Sequence, residues 1–314
     1  MILLFKVVPV CLTYFNKDCR VIILATTYSD FATWYLQLYR RFDSIKIYKM
    51  TKTIFITGAS AGIGKATAIF FANKGWKVIA TMRKPENEKE LNLLDNVTLL
   101  PLDVTNPAQI KETTQKALAL GDIDVVFNNA GYALLGVLEA ITDEQVVAQM
   151  ETNFLGVVRV TQAFIPYFRE KRAGLFITTG SSAGVMAFPV SSMYNATKWA
   201  LEGWSESLSY ELSEIGVGIK TIEPGLVATE IADRTIFATH PAYESLTAKF
   251  MALIEHGEGV TTAQQIAEVV YGAATDGTDT LRYVCGEDAK GLYAQRLANG
   301  DEAFRKSIKE MLGA

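Results

Sequence analysis

Ser181, Tyr194 and Lys198 are the residues whose types and spacing best suit proton transfer at an alcohol or carbonyl carbon. Ser181 precedes the tyrosine by thirteen residues and Lys198 follows it by four. On a helix, a residue four positions on lies one turn away on the same face, so the ammonium would stand beside the phenol. A free phenol titrates near 10, and bringing it near 7 takes roughly 4 kcal/mol of differential stabilisation. One positive charge about 4 Å away, at an effective dielectric of about 20, supplies on the order of 4 kcal/mol.

The tyrosine–lysine spacing alone decides little. It also occurs at Tyr48/Lys52 and Tyr167/Lys171, where Tyr35 and Phe154 stand in place of the upstream serine. Those two read as ordinary helix-surface pairs.

A second feature lies nearer the amino end. Thr53–Thr57 is a short β-branched and aromatic run suited to a buried strand. Gly58-Ala59-Ser60-Ala61-Gly62-Ile63-Gly64 follows, and a segment at helical spacing begins at Lys65. A strand, a glycine turn and a helix aim unpaired backbone N–H groups and a helix dipole at a bound phosphate. Gly58, Ser60, Gly62, Ile63 and Gly64 are therefore expected cofactor-binding positions. The spacing is Gly-x-x-x-Gly-x-Gly rather than the commoner Gly-x-Gly-x-x-Gly.

A second strand is expected over Trp76–Thr81. At its end an NAD site usually carries a carboxylate for the ribose 2′-hydroxyl. This chain offers Thr81, Met82, Arg83 and Lys84 instead. A guanidinium binds a 2′-phosphate in a fork, whereas a carboxylate repels it. Arg83 thus favours NADP over NAD; its plain alternative is a solvated loop residue.

Strand-like and helix-like segments keep alternating. The pattern predicts strands at Val97–Leu102, Asp124–Phe127, Leu175–Thr179 and Gly218–Ile222. It predicts helices around Pro107–Leu120 and Glu144–Lys171, and from Tyr194 to about Ile215. Such alternation gives an α/β fold, a doubly wound, Rossmann-like parallel sheet in one domain, whose ligands bind beyond the carboxyl ends of the strands. Gly58, Asp103, Asn128, Ser181 and Pro224 all fall at such ends.

These residues closely resemble the short-chain dehydrogenase/reductase family, in its short, non-extended branch. The matching motifs are Thr57–Gly64, Leu102-Asp103-Val104, Asn128-Asn129-Ala130-Gly131, Asn153, Ser181, Tyr194/Lys198, and Pro224-Gly225 with Thr229, in the family's order over residues 51 to 285. The resemblance implies that Tyr194 is the general acid/base and that Ser181 hydrogen-bonds the substrate oxygen. Lys198 would hold the nicotinamide ribose and lower the tyrosine pKa, with Asn153 organising a proton relay through it. Asp103 would contact the adenine, Asn129 and Gly131 would frame the cofactor, and Pro224, Gly225 and Thr229 would border the carboxamide. Plain readings stand beside these: Asn153 as a helix-bending polar residue, Asp103 and Thr229 as helix caps. Family members assemble through helices like those around Glu151–Lys171 and Tyr194–Ile215, so a homodimer or homotetramer is expected.

Composition fits a buried core, with 49% hydrophobic residues, and the net charge of −4 implies no nucleic-acid partner. Two histidines and three scattered cysteines argue against a metal site or a disulfide framework and fit a cytoplasmic setting. Residues 1–49 stand apart, with seven Lys/Arg against three Asp/Glu. Their apolar runs, Val7–Phe15 and Val21–Tyr39, fall short of the about 20 predominantly apolar residues that span a bilayer. They are expected to be a loosely packed extension of unknown role, with a membrane-associating segment as the rival.

The expected organisation is that extension, a catalytic domain over 50–287 with a substrate lid at about 225–260, and a helical tail over 288–314. Met186, Phe188, Leu134 and Leu135, with apolar residues of the lid, are candidates for an apolar substrate pocket. The sequence thus points to an NADP(H)-dependent oxidoreductase interconverting a medium-sized apolar alcohol and its carbonyl. The alternative is a non-catalytic NADP(H)-sensing regulator.

Overall fold

The computed structural model describes residues 10–16, 19–25, 51–228, 235–255 and 260–313. The chain divides at Met50 into two units. In the first, Val10–Asn16 pairs antiparallel with Cys19–Ala25, a hairpin that the apolar runs did not announce.

The second unit carries seven parallel strands: β1 (Thr53–Ile56), β2 (Lys77–Met82), β3 (Val97–Pro101), β4 (Val125–Asn128), β5 (Leu175–Thr179), β6 (Gly218–Pro224) and β7 (Arg282–Cys285). Their order is β7-β6-β5-β4-β1-β2-β3, and every pairing is parallel. The order reverses between β1 and β4, which opens a crevice at their carboxyl ends.

The principal helices are α1 (Gly62–Asn73), α2 (Pro107–Ala119), α3 (Asp143–Met150), α4 (Gly156–Lys171), α5 (Ser192–Ser213), α6 (Glu244–Glu255), α7 (Ala263–Thr275), α8 (Glu287–Asn299) and α9 (Asp301–Met311). Side chains alternate across a strand, and β1 shows how this makes two cores. Ile54 and Ile56 pack with Phe71 of α1 and Val270 of α7. Phe55 faces the other way, against Phe164 and Phe168 of α4. A strand covered on both faces reads as a continuous apolar run, as β1 does.

Local chemistry sets the helix starts. Asn106 caps α2, accepting from the Gln109 N–H at 3.1 Å, with Pro107 at the first helical position. Thr142 and Gln145 form a reciprocal capping box at α3. The long helix expected over Glu144–Lys171 is interrupted by a π turn over Glu151–Leu155, between α3 and α4.

Three features differ from the sequence expectation. β7 had no counterpart there, because Arg282–Cys285 is too short to stand out by pattern alone. The described part of the 225–260 region is more regular than expected. Val227–Ala228 pairs with Thr261–Thr262, Ile236–Ala238 pairs with Leu134–Gly136, and α6 fills much of the rest. Of the proposed pocket residues, Leu134 and Met186 are fully buried core, while Leu135 and Phe188 are half-buried.

Candidate active site

Gly58 lies two residues past β1 with φ +68°, and a Cβ there would come within 2.7 Å of the Ala130 Cα. Gly62 follows with φ +54°. A Cβ on Gly64 would strike the Gly58 carbonyl oxygen at 2.4 Å, so this glycine lets α1 pack close to the loop. The N-cap of α1 is Ala61, which has no side chain to cap with, and no acidic residue lies in the first turn. The leading N–H groups of α1 are thus left for an anion. This fits a dinucleotide pyrophosphate. Ser60 is exposed on the turn, and Ile63 packs partly against the core beneath it.

Asn129 fastens the loops after β1, β4 and β5. Its backbone N–H donates to the Thr57 Oγ1 at 2.9 Å, and its Nδ2 donates to the Thr57 and Gly58 carbonyls at 3.2 and 3.1 Å. Its Oδ1 accepts from the Thr179 hydroxyl at 3.1 Å. Gly131 is exposed, with the Asn153 Oδ1 3.2 Å from where its Cβ would be. Asp103 turns its own loop, accepting from the Thr105 N–H and hydroxyl at 2.9 and 2.8 Å. It does not cap α2; Asn106 does.

Arg83 and Lys84 are exposed just past β2, whereas Thr81 and Met82 are buried. Among the described residues no carboxylate pairs with Arg83, so its guanidinium is free for another anion. Gly225 follows β6, and its N–H donates to the Cys285 carbonyl at 2.9 Å. The next N–H, of Leu226, donates to the Asp288 Oδ2 at 2.7 Å, and a Cβ on Gly225 would clash with that carboxylate. Thr229 lies outside the described residues.

Ser181 begins a short helical turn, Ser182–Val185, and its Oγ accepts from the Ala183 N–H at 3.1 Å. The hydroxyl proton remains available to donate. Tyr194 lies in the first turn of α5. Burial pushes its phenol up, the hydrogen bond with Ser181 pulls against that, and the Glu223 carboxyl raises it further only where it is ionised. This departs from the expectation that Lys198 would draw the phenol toward neutrality. Lys198 donates from Nζ to the Thr179 carbonyl at 2.7 Å and stands 5.7 Å from the Tyr194 ring centroid. It is 6% exposed, and burial lowers its ammonium to about 8 although Glu223 and Glu202 pull the other way. An ammonium has three donors, so two are left for other partners.

Asn153 sits in the π turn, a distortion frequent at functional sites. Its Oδ1 accepts from the Tyr132 N–H at 3.1 Å, and its Nδ2 donates to the Tyr132 carbonyl at 2.9 Å. It also reaches the Thr197 hydroxyl at 3.4 Å, and that hydroxyl donates to the Tyr194 carbonyl at 2.8 Å. Asn153 is therefore tied to α5 through Thr197, without a direct contact to Lys198.

Ser181, Tyr194, Lys198 and Asn153 come together beside the glycine turn, at the carboxyl edge of the sheet. Sequence reasoning missed Thr179 and Thr197 and gave Thr57 no role beyond its motif, though the bonds of all three position that set. It also missed Glu223, buried directly before Pro224, where an acidic residue at the end of an apolar strand was a visible signal.

The family model for short chain dehydrogenase matches residues 52–237. An uncharacterized oxidoreductase of Schizosaccharomyces pombe is 40% identical over 235 residues, covering 74% of this chain and all of its own length. A short-chain dehydrogenase of Streptomyces avermitilis superposes with a TM-score of 0.74 at 29% identity, covering 84% of this chain and 97% of its own. An alcohol dehydrogenase of Thermococcus sibiricus, solved with 5-hydroxy-NADP, gives a TM-score of 0.64 at 26% identity, covering 75% and 96%.

Proposed function

Because this chain belongs to the short-chain dehydrogenase/reductase family of oxidoreductases, we propose that it interconverts an alcohol and a carbonyl with NADP(H). The observation that carries the reading is the meeting of Ser181, Tyr194 and Lys198 beside an uncapped, glycine-led helix start. Of the two dinucleotides, NADP is preferred because Arg83 is exposed and unpaired past β2. The Thermococcus enzyme solved with an NADP derivative supports the same choice.

When bound, the nicotinamide supplies or accepts the hydride. In the reducing direction the Ser181 hydroxyl donates to the substrate oxygen and holds it against Tyr194. The Tyr194 phenol gives that oxygen its proton as negative charge develops there. A raised phenol pKa keeps Tyr194 protonated and ready to donate. The two spare Lys198 protons would serve the ribose of the bound dinucleotide and the phenol, and Asn153 fixes the start of α5 through Thr197. Gly58, Ser60, Gly62, Ile63 and Gly64 would cradle the pyrophosphate. Asp103, Asn129, Gly131, Pro224 and Gly225 would border the adenine and nicotinamide ends of the bound dinucleotide.

An apolar substrate fits the exposed Ile236 and Phe237, on the strand paired with Leu134–Gly136. Assembly as a homodimer or homotetramer fits the groove between α4 and α5, bordered by Ile165, Trp204 and Leu208. Sedimentation at micromolar concentration checks that point, and a monomer contradicts it. The function itself is tested by assaying apolar aldehydes and ketones with NADPH and NADH. Turnover that prefers NADPH supports the reading. Cofactor binding with no turnover across the panel would instead favour a regulatory sensor.

A further inference from the structure

Beneath the catalytic serine lie two carboxyl groups that the proposed reaction does not use. Glu223, the next-to-last residue of β6, is 0% exposed, and Glu202 of α5 is 5% exposed. The Glu223 Oε2 accepts the Ser181 backbone N–H at 2.6 Å. Its carboxyl lies so close under the β5 end that a Cβ on Gly180 would come within 2.2 Å of it. Glu202 packs under the same turn, with its Cγ 3.2 Å from where a Cβ on Gly184 would sit. Its Oε2 accepts from the Arg282 Nε at 2.6 Å, and Arg282 reaches on to Glu206.

The remaining oxygens pose the question. Glu202 Oε1 and Glu223 Oε1 are both buried and have no partner at good hydrogen-bond geometry among the described residues. The Thr221 hydroxyl, whose bond to the Leu281 carbonyl is long at 3.4 Å, also faces the Glu223 carboxyl and pulls its pKa down. The two side chains nevertheless lie within hydrogen-bonding reach of each other. Two ionised carboxylates cannot satisfy one another, since each only accepts. A single proton between them satisfies both and removes the repulsion of like charges in a dry site.

We propose that Glu223 is a positioning residue, protonated at neutral pH and hydrogen-bonded to an ionised Glu202, and that this pair clamps the Ser181 turn. Arg282 balances the one negative charge left on the pair. The other titratable groups facing it are Lys198 and Tyr194 on α5 and Cys285 on β7. Burial and then Glu202 hold the Glu223 carboxyl well above the usual carboxylate range, in keeping with the clamp. The clamp joins β6 and α5 to the loop after β5, so the serine hydroxyl is aimed from both sides.

The inference rests on Ser181 being the ligand of the substrate oxygen, so its test has an arm that does not depend on turnover. Glu223→Gln keeps both bonds at every pH, with its amide oxygen accepting from Ser181 and its amide N–H donating to Glu202. Infrared difference spectra at pH 7 should show a neutral carboxylic-acid carbonyl stretch in the wild type that Glu223→Gln removes. Turnover in Glu223→Gln should stay near wild type, and the loss that the wild type suffers on raising pH through the Glu223 titration should be absent. Glu223→Ala should lower kcat by about 5- to 150-fold with cofactor affinity unchanged, the equivalent of leaving one buried donor unpaired. A missing acid band overturns the shared proton. So does a Glu223→Gln chain that fails to fold or is as impaired as Glu223→Ala. An acid band without any turnover effect in Glu223→Ala would contradict the clamp on Ser181 while leaving the proton in place. A chain with the band but no turnover in any form would count against the proposed reaction, not the pair.

Discussion

Tyr167 with Lys171 and Tyr194 with Lys198 share one local geometry. Each pair is separated by four residues on a helix, and each ammonium stands 5.7 Å from its ring centroid. The pairs sit at opposite edges of the sheet. Near the amino end of β4, the Tyr167 hydroxyl donates to Asp122 at 3.1 Å and accepts the Ile123 N–H at 3.1 Å. Lys171 bonds the Ile123 carbonyl and Asp124 at 3.1 and 3.2 Å, and Asp124 in turn accepts the Thr53 N–H. That pair ties α4 to the start of β1 and β4. At the carboxyl edge, Tyr194 meets a serine hydroxyl, and among the described residues Lys198 has a backbone carbonyl as its one hydrogen-bond partner.

The two lysines consequently titrate in opposite directions. Burial works against the Lys171 charge, but attraction to Asp124 and its hydrogen bond win, and the pKa rises. For Lys198 burial wins over the more distant Glu223 and Glu202, and the pKa falls to about 8. A spacing places an ammonium over a ring. Whether that ammonium is a strut or a proton-handling group depends on the carboxylates around it and the edge of the sheet it faces.

The comparison breaks or sharpens most visibly at the lysines. Lys198→Ala should lower kcat by ~10²-fold or more, in the range of lost proton-transfer catalysis. Lys171→Ala should leave kcat unchanged and show itself only in a lower Tm; an equal loss of turnover in the two would erase the distinction. Next in size is an effect confined to the carboxyl edge. Arg83→Ala should weaken NADPH by about 10- to 150-fold, the loss of one charge-assisted bond, and leave NADH nearly unchanged. Titration calorimetry with both cofactors checks it. Met82 is not a useful position for a compensating carboxylate, because it is packed in the core.

The pH dependence of stability differs in sign between the lysines. Lys198 is lowered from 10.5 to about 8, so between those values the unfolded chain binds the extra proton and the Lys198 contribution to stability rises with pH. Lys171 is raised, so its contribution is present below its unfolded pKa and is lost as pH climbs through the folded one. Denaturant midpoints measured from pH 7.5 to 10.5 should rise less steeply, or fall more, in Lys198→Met than in the wild type. An identical slope would contradict the depressed ammonium. The smallest effect belongs to Tyr167→Phe, which removes hydrogen bonds to Asp122 and Ile123. It should cost about 0.5–1.5 kcal/mol in denaturant unfolding and nothing in turnover.

Much of this contrast was legible before the fold. Ser181 distinguished one tyrosine–lysine pair from the others, and the apolar runs of β1 and β5 marked strands buried on both faces. The carboxyl-edge positions of Gly58, Asn128 and Ser181 follow from the alternation of strands and helices. Other parts were hidden for physical reasons. β7 is four residues long and owes its place to β6, not to its own pattern. The π turn at Asn153 depends on packing between α3, α4 and the Tyr132 backbone, which no local propensity encodes. Glu202 looks like any charged residue of an amphipathic helix until Gly184 and Arg282 close around it. The phenol shift of Tyr194 depends on burial, which spacing does not report.

The central claim is that Tyr194 is the proton donor and Tyr167 a structural hydroxyl. Its most direct test measures kcat and NADPH affinity of Tyr194→Phe and Tyr167→Phe on one reducible carbonyl substrate. Tyr194→Phe should lose ~10²–10⁴-fold in kcat with NADPH affinity essentially unchanged, while Tyr167→Phe turns over like the wild type. A Tyr194→Phe chain that keeps turnover within about a factor of ten of wild type, below the span expected for a lost general acid, would contradict the account.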